Sequence, residues 1–369
     1  MTLATRQPAD AQSRWRGGIQ LMHNGDGARR RATVKAVASY LPAGSLTNEQ
    51  LAQELGGWDA PKILEKTGIA VRHIAAPEEC SSDLGVAAAQ RLFDKGACAP
   101  ADIDFLLFCT QSPDYFLPTT ACLVQDRLGL RLDCGALDFN QGCSGFVYGL
   151  SLAKSLIEAG NADNLLLITA ETYSKFINPR DRSVRTIFGD GAAATLLTAV
   201  EADRELIGPF VFGTDGRGAS ELIVPAGGMR QPVGCEQMVE TEDGRGNWRS
   251  QRNLYMNGPE IYRFTVETVP GLLDQLLEKS GRRVEEVDHF VFHQANKFML
   301  DRLRARTPIP EEKFWIDMKD SANTVSSTIP IALERAQCRG RIRTGDRLAL
   351  VGFGVGYSWA AAMMEWATT

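Results

Sequence analysis

Leu92-Phe93-Asp94-Lys95, continued by Ile103-Asp104-Phe105-Leu106-Leu107-Phe108, lies without gaps over Leu276-Leu277-Glu278-Lys279, continued by Val287-Asp288-His289-Phe290-Val291-Phe292. Each copy is a helix end, a polar loop and an apolar run of strand length. A second pair, Asp163-Asn164-Leu165-Leu166-Leu167-Ile168 and Asp346-Arg347-Leu348-Ala349-Leu350-Val351, recurs at nearly the same offset. Acid-then-apolar strand starts are common, but two matches at one spacing point to a duplication. The chain therefore predicts an α/β architecture of two similar βα halves, each with a mostly parallel sheet covered by helices. Two such halves can share a central helix layer and stack as αβαβα. The halves are expected over residues 32–203 and 204–369, after a polar, partly disordered leader over 1–31. Residues 225–253, rich in Gly, Gln and Glu, interrupt the second half as a loop or flap.

Composition narrows the function classes. The 369 residues carry a net charge of -5, which leaves no global field for nucleic acid; an acidic protein partner needs a local basic patch. No run reaches the roughly 18 apolar residues of a membrane helix, and the leader lacks an apolar signal core. The eight cysteines are scattered with no C-x-x-C pair, and only four histidines are present. No metal site is expected, and a reducing cytoplasm suits such thiols.

Three places invite chemistry. In Leu137-Asp138-Phe139-Asn140-Gln141-Gly142-Cys143-Ser144-Gly145-Phe146 a strand ends and a helix opens, so Cys143 is expected at a helix N-terminus, where the dipole lowers a thiol's pKa. The alternative is a buried structural thiol. Strand 287–292 runs into His293-Gln294-Ala295-Asn296, placing His293 at a strand's C-terminal end, where sites of α/β proteins gather. In the duplication it takes the place of Cys109. Asn323, in Ser321-Ala322-Asn323-Thr324 ahead of a helix, by itself says no more than helix cap or Asx-turn.

Taken with Lys66-Thr67-Gly68-Ile69, Arg72-His73-Ile74-Ala75-Ala76-Pro77, Ile187-Phe188-Gly189-Asp190-Gly191-Ala192 and Gly352-Phe353-Gly354-Val355-Gly356, these motifs resemble, in order and over nearly the whole chain from about residue 34, the β-ketoacyl-acyl-carrier-protein synthase III family. The resemblance implies the five-layered thiolase fold and no cofactor. It implies an acyl group carried on Cys143 from acyl-CoA or an acyl carrier protein, then decarboxylative condensation with malonyl carrier protein. His293 Nε2 and Asn323 Nδ2 would hold the enolate oxygen, and the backbone N–H groups of Cys143 and Val355 would form the oxyanion hole. Leu117, Phe188, Arg182, Gly258, Asn296 and Phe353 would line the substrate path. Arg263, Lys297, Arg302 and Arg306 would form the carrier-protein patch, Arg302 and Arg306 sharing one helix face; a merely solvated basic face is the alternative. A homodimer is implied, with strand 164–169 at its interface.

Some positions depart from the family pattern. The Trp and Arg that commonly sandwich adenine are Lys62 and Ala70, while Arg182 is kept. Leu117 replaces a bulky aromatic, and Val355 stands where the terminal turn usually has its central Gly. These changes predict a primer longer than acetyl that arrives mainly on a carrier. The rivals are a C–O or C–N acyltransferase of the same fold and a non-catalytic partner subunit. A papain-like protease shares the order Cys, His, Asn but has neither its local cysteine pattern here nor a place for a duplication.

Overall fold

The computed structural model describes residues 28–56 and 59–367. Residues 1–27 of the expected leader lie outside the described residues, but Arg29–Arg31 do not belong to a leader. They open strand β1 (Arg29–Tyr40), and Arg30 is tied to the Ile157 and Ala162 carbonyls, each at 2.6 Å.

The first sheet joins β1 to β2 (Phe105–Cys109), β3 (Gly135–Phe139), β4 (Asn164–Glu171) and β5 (Gly191–Ala202), in the order β1-β5-β4-β2-β3. The second is built from β6 (Ile207–Thr214), β7 (His289–Phe292), β8 (Phe314–Trp315), β9 (Arg347–Gly354) and β10 (Ser358–Glu365), in the order β6-β10-β9-β7-β8. One order maps onto the other, with β2 matching β7 and β4 matching β9, as the sequence repeat requires. Both sheets are mixed rather than mostly parallel. β4 pairs with β2, and β9 with β7, in parallel, but β5 and β10 run antiparallel to β4 and β9. Between β9 and β10 only three residues intervene, too few for the crossover that a parallel return needs.

The helices are α1 (Asn48–Leu55), α2 (Ala60–Thr67), α3 (Ser81–Asp94), α4 (Thr120–Arg127), α5 (Gly145–Glu158), α6 (Arg182–Arg185), α7 (Gly258–Ser280), α8 (Lys297–Arg304) and α9 (Thr328–Cys338). Strand periodicity sorts the core into layers. On β4, Leu165 and Leu167 face the central layer, where Phe146, Leu150 and Ile157 of α5 and Ile329 and Leu333 of α9 meet Leu348 and Leu350 of the second sheet. Leu166 and Ile168 face the outer layer, against Leu84, Ala88 and Leu92 of α3. Beyond the second sheet, Leu272, Leu273 and Leu276 of α7 pack with Phe290 and Phe292. Each such leucine, fully buried, contributes about 1.5–3 kcal/mol. The excursion at 225–253 is no free flap. Arg249 bridges Asp181 at 2.7 Å and Asp243 at 2.8 Å, and Arg180 stacks 4.3 Å over Trp248, which pins the loop to the segment around α6.

Candidate active site

Both central helices open beside the C-terminal ends of the parallel strands, and the duplicated strands aim their following residues at one place. Cys143 lies in the turn from β3 to α5. The close approach of the terminal turn fixes it: a Cβ on Gly354 would sit 2.8 Å from both Cβ and Sγ of Cys143. His293 follows β7, its N–H donating to the Val351 carbonyl at 2.8 Å. Asn323 arrives from the second half but is held by the first, through Asn323 N–H to the Ile187 carbonyl and Gly189 N–H to the Asn323 carbonyl, each 3.1 Å. A cavity of about 410 Å³ is lined jointly by Cys143, His293 and Asn323, with Phe188, Gly258, Asn296 and Phe353 around them.

The polar atoms in this cavity are oriented. Asn323 Oδ1 accepts the N–H of Val325 at 2.9 Å, which leaves its amide N–H groups for a ligand. His293 Nδ1 lies 2.7 Å from Thr328 Oγ1, Nε2 has no hydrogen-bond partner among the described residues, and the ring stands edge-on to Phe353. Burial drives the imidazole pKa down to about 3, so the ring stays neutral at working pH. Asn296 caps α8, its Oδ1 accepting from Met299 N–H at 2.9 Å.

The thiol differs from expectation. Rather than being lowered at the helix start, its pKa is pushed up to about 12, chiefly by burial and then by the nearby Glu171. The backbone N–H groups of Val355 and of Cys143 itself act in the opposite sense but do not outweigh desolvation. Cys143 therefore rests as a thiol. Val355 is not among the residues with positive φ, so a β-branched side chain is tolerated there.

Two functional-looking groups escaped the sequence reading. Glu171, at the end of β4, is fully buried. Its carboxyl accepts from Ser326 Oγ at 2.8 Å, Gln111 N–H at 3.0 Å and Ser112 Oγ at 3.1 Å. Burial nevertheless lifts its pKa to about 8. An acid closing an otherwise apolar strand was the available signal. Thr328, at the start of α9, looked like any helix-opening threonine.

Residues 137–216 match the family model 3-oxoacyl-[acyl-carrier-protein (ACP)] synthase III, and residues 277–366 match the model of its C-terminal part. A curated relative from Caldanaerobacter subterraneus subsp. tengcongensis, a beta-ketoacyl-[acyl-carrier-protein] synthase III, is 35% identical over 91% of this chain and 98% of its own. The chain belongs to the 3-oxoacyl-[acyl-carrier-protein] synthase III family. A crystal structure of a 3-oxoacyl-(acyl-carrier-protein) synthase III is 53% identical and superposes with a TM-score of 0.90 over 91% of this chain and 100% of that one. The enzyme from Thermus thermophilus is 35% identical, with a TM-score of 0.79 over 91% of this chain and 99% of its own. These findings make the protein an acyltransferase with the β-ketoacyl synthase III condensing activity and the thiolase fold.

Not every expected contact of this synthase III lies at the cavity. Leu117 is 85% exposed and absent from the lining, because residues 115–117 project outward as an apolar tip. Arg182 is committed elsewhere: its guanidinium donates to the Leu55 carbonyl at 2.6 Å, and its N–H to Asn247 Oδ1 at 3.1 Å. α8 ends at Arg304, so Arg302 and Arg306 do not share a helix face; Arg306 reaches back to the Val266 carbonyl at 3.4 Å. Lys297 pairs with Asp301 at 2.5 Å, and Arg263 pairs with Glu260. Arg302 stands 5.3 Å over the ring of Phe298, a residue of the cavity lining. Strand 164–169, expected at an interface, is the third of five in its sheet; an internal strand has no free edge to offer a second copy. All eight cysteines are free. Among the described residues no helix is long and apolar enough to cross a membrane.

Proposed function

We propose that Cys143, His293 and Asn323 carry out the condensation. Cys143 attacks an acyl thioester; its S–H proton passes to the departing thiol, and the acyl group stays on Sγ. A malonyl thioester follows. The bond to its carboxylate breaks, carbon dioxide leaves, and the electron pair forms an enolate whose oxygen meets donors from His293 Nε2 and Asn323 Nδ2. The enolate carbon attacks the Cys143 thioester, forming the C–C bond and breaking the C–S bond, and the released thiolate takes a proton from solvent to return to the resting thiol. The N–H groups of Cys143 and Val355 receive the intermediate oxyanion. The observation that carries this reading is the single cavity lined by all three side chains, with Asn323 Oδ1 already spent on Val325. Intact-mass measurement tests it: Cys143→Ala should accumulate no acyl adduct, and His293→Ala should acylate yet fail to decarboxylate malonyl carrier protein. An acyl adduct on Cys143→Ala would remove Cys143 from the role.

The substrates are an acyl thioester primer and malonyl carrier protein. We infer a carrier-borne primer longer than acetyl. Besides the three polar residues the cavity lining carries Tyr262, Thr265 and Asn296 and is otherwise apolar, with Leu222, Met256, Ile261 and Met299, and each buried methylene adds about 0.8 kcal/mol. Lys62 is 75% exposed at its side chain and Arg182 is engaged with Leu55, so neither is set to clamp a nucleotide. Comparing acylation by acetyl and octanoyl groups, on coenzyme A and on carrier protein, decides the matter; preference for acetyl-coenzyme A would overturn it.

A homodimer also belongs to this reading, through the edge strand β3 rather than β4. Leu137 on β3 is 46% exposed, and Asp138 accepts from the N–H groups of Thr120 and Ala121 at 2.6 Å, joining that edge to α4 and the exposed tip Tyr115-Phe116-Leu117. Light scattering at micromolar concentration tests it, and a monomer would refute it.

A further inference from the structure

His293 must present a particular ring nitrogen as donor, and the structure points to what decides which one. A neutral imidazole carries one proton, and its position follows the hydrogen bond made by the other nitrogen. Among the described residues Nδ1 has one hydrogen-bond partner, Thr328 Oγ1, at 2.7 Å. That hydroxyl also has one proton and two acceptors in reach: Nδ1, and the Val325 carbonyl at 3.1 Å. If the proton goes to Val325, Nδ1 must hold the ring proton and a lone pair at Nε2 faces the cavity. If it goes to Nδ1, Nε2–H faces the cavity. The shorter contact is to Nδ1. The neighbouring group in the cavity, Asn323, is itself turned to offer N–H because its Oδ1 is occupied.

The pair is also buried. His293 is 2% and Thr328 3% exposed. The segment leading into α9 holds Ala322 at φ 60° and Val325 at φ 55°, a costly conformation for residues with a side chain, above all a β-branched one. It is fastened to the first half by Ser326 Oγ to Glu171 at 2.8 Å and by Ser327 Oγ to the Thr169 hydroxyl and carbonyl at 2.9 and 3.0 Å. The position of Thr328 Oγ1 beside the ring is thus set by the packing of that segment.

We propose that Thr328 is a positioning residue that sets the tautomer of His293, donating its hydroxyl proton to Nδ1 so that Nε2–H points at the substrate. This rests on the role given above to His293 in the decarboxylative step. It also assigns His293 no part as acceptor of the Cys143 proton, since Nε2 then has no lone pair, and this separates the two half-reactions. Serine at 328 preserves the device; valine, nearly the same shape, removes it.

The test begins with the unmodified protein. Histidine-selective ¹⁵N labelling puts four histidines in the spectrum, and the His293→Ala spectrum identifies the signals of His293. An Nε2 signal of the protonated type with an Nδ1 signal of the lone-pair type upholds the proposal; the reverse overturns it, whatever any variant does. Thr328→Val should then shift that pattern toward the other tautomer and slow malonyl decarboxylation by about tenfold or more. Acylation of Cys143, which also reports on folding, should change by less than about threefold, and Thr328→Ser should restore both readings. A valine variant with the wild-type ¹⁵N pattern and wild-type decarboxylation overturns the assignment. Normal decarboxylation by His293→Ala would instead overturn the role of His293 beneath it, leaving the tautomer to be decided by the spectrum alone.

Discussion

Replacing Glu171 by glutamine should change how stability depends on pH. The carboxyl has an ordinary pKa of 4.5 in the unfolded chain and about 8 in the fold, because burial outweighs the donors from Ser326, Gln111 and Ser112. A carboxyl raised in this way favours the fold fully below pH 4.5, and that contribution is lost as pH climbs toward 8. Each unit in that window costs about 1.4 kcal/mol, roughly 4–5 kcal/mol in all. Glutamine cannot ionise, so its stability lacks this slope. It brings a penalty of its own, about 1–3 kcal/mol, because an amide N–H₂ must face the Gln111 N–H or the Ser112 hydroxyl, but that penalty does not vary with pH. The informative quantity is the difference in thermal midpoint between variant and wild type, followed from pH 5.5 to 8. For a chain this long 1 kcal/mol moves the midpoint by about 1.3 °C, so the difference should swing by roughly 4 °C in favour of the variant. Every other titrating group is common to both proteins and cancels. A flat difference, or one moving against glutamine as pH rises, would refute the reasoning: the carboxylate would then be ionised and satisfied by its donors.

Gly354→Ala should abolish acylation of Cys143 in a protein that still folds, since the new methyl would sit 2.8 Å from the sulfur; normal acylation by mass would show that the terminal turn yields. Activity should show no acid limb near 6.5 from His293, because burial holds its pKa near 3, and a pH series of its ¹⁵N signals from 5 to 8 should find the ring neutral throughout. Arg302→Glu should raise KM for malonyl carrier protein about three- to tenfold at low salt with kcat nearly unchanged, and an equal effect on a small malonyl thioester would argue against a carrier contact. Phe116→Glu should convert the proposed dimer to monomer by light scattering, the exposed ring being 75% accessible in the single chain.

The duplication was legible because each repeated strand is apolar on successive residues, the pattern of a strand covered on both faces. The turn carrying Cys143 and the strand end carrying His293 were legible because each joins special backbone to a reactive side chain, whereas Asn323 entered only through the family resemblance. Order within the sheet was not. The run from Asn164 is apolar throughout because it is central, whereas the edge strand β3 betrays itself by an exposed Leu137; apolarity reports burial and does not say what does the burying. Charge states were also beyond reach. A helix start predicts a lowered thiol pKa, yet the sulfur of Cys143 is enclosed by Gly354 and Val355, more than two hundred residues away, and desolvation wins. Sequence alone determined the division into two similar α/β halves, because periodicity is a property of neighbouring residues, and it singled out the residues of the candidate site only together with the family resemblance. Only the tertiary structure decided that Glu171 is buried against Ser326 and that Thr328 meets His293, because hydrogen bonding and desolvation depend on groups that folding brings together from both halves of the chain.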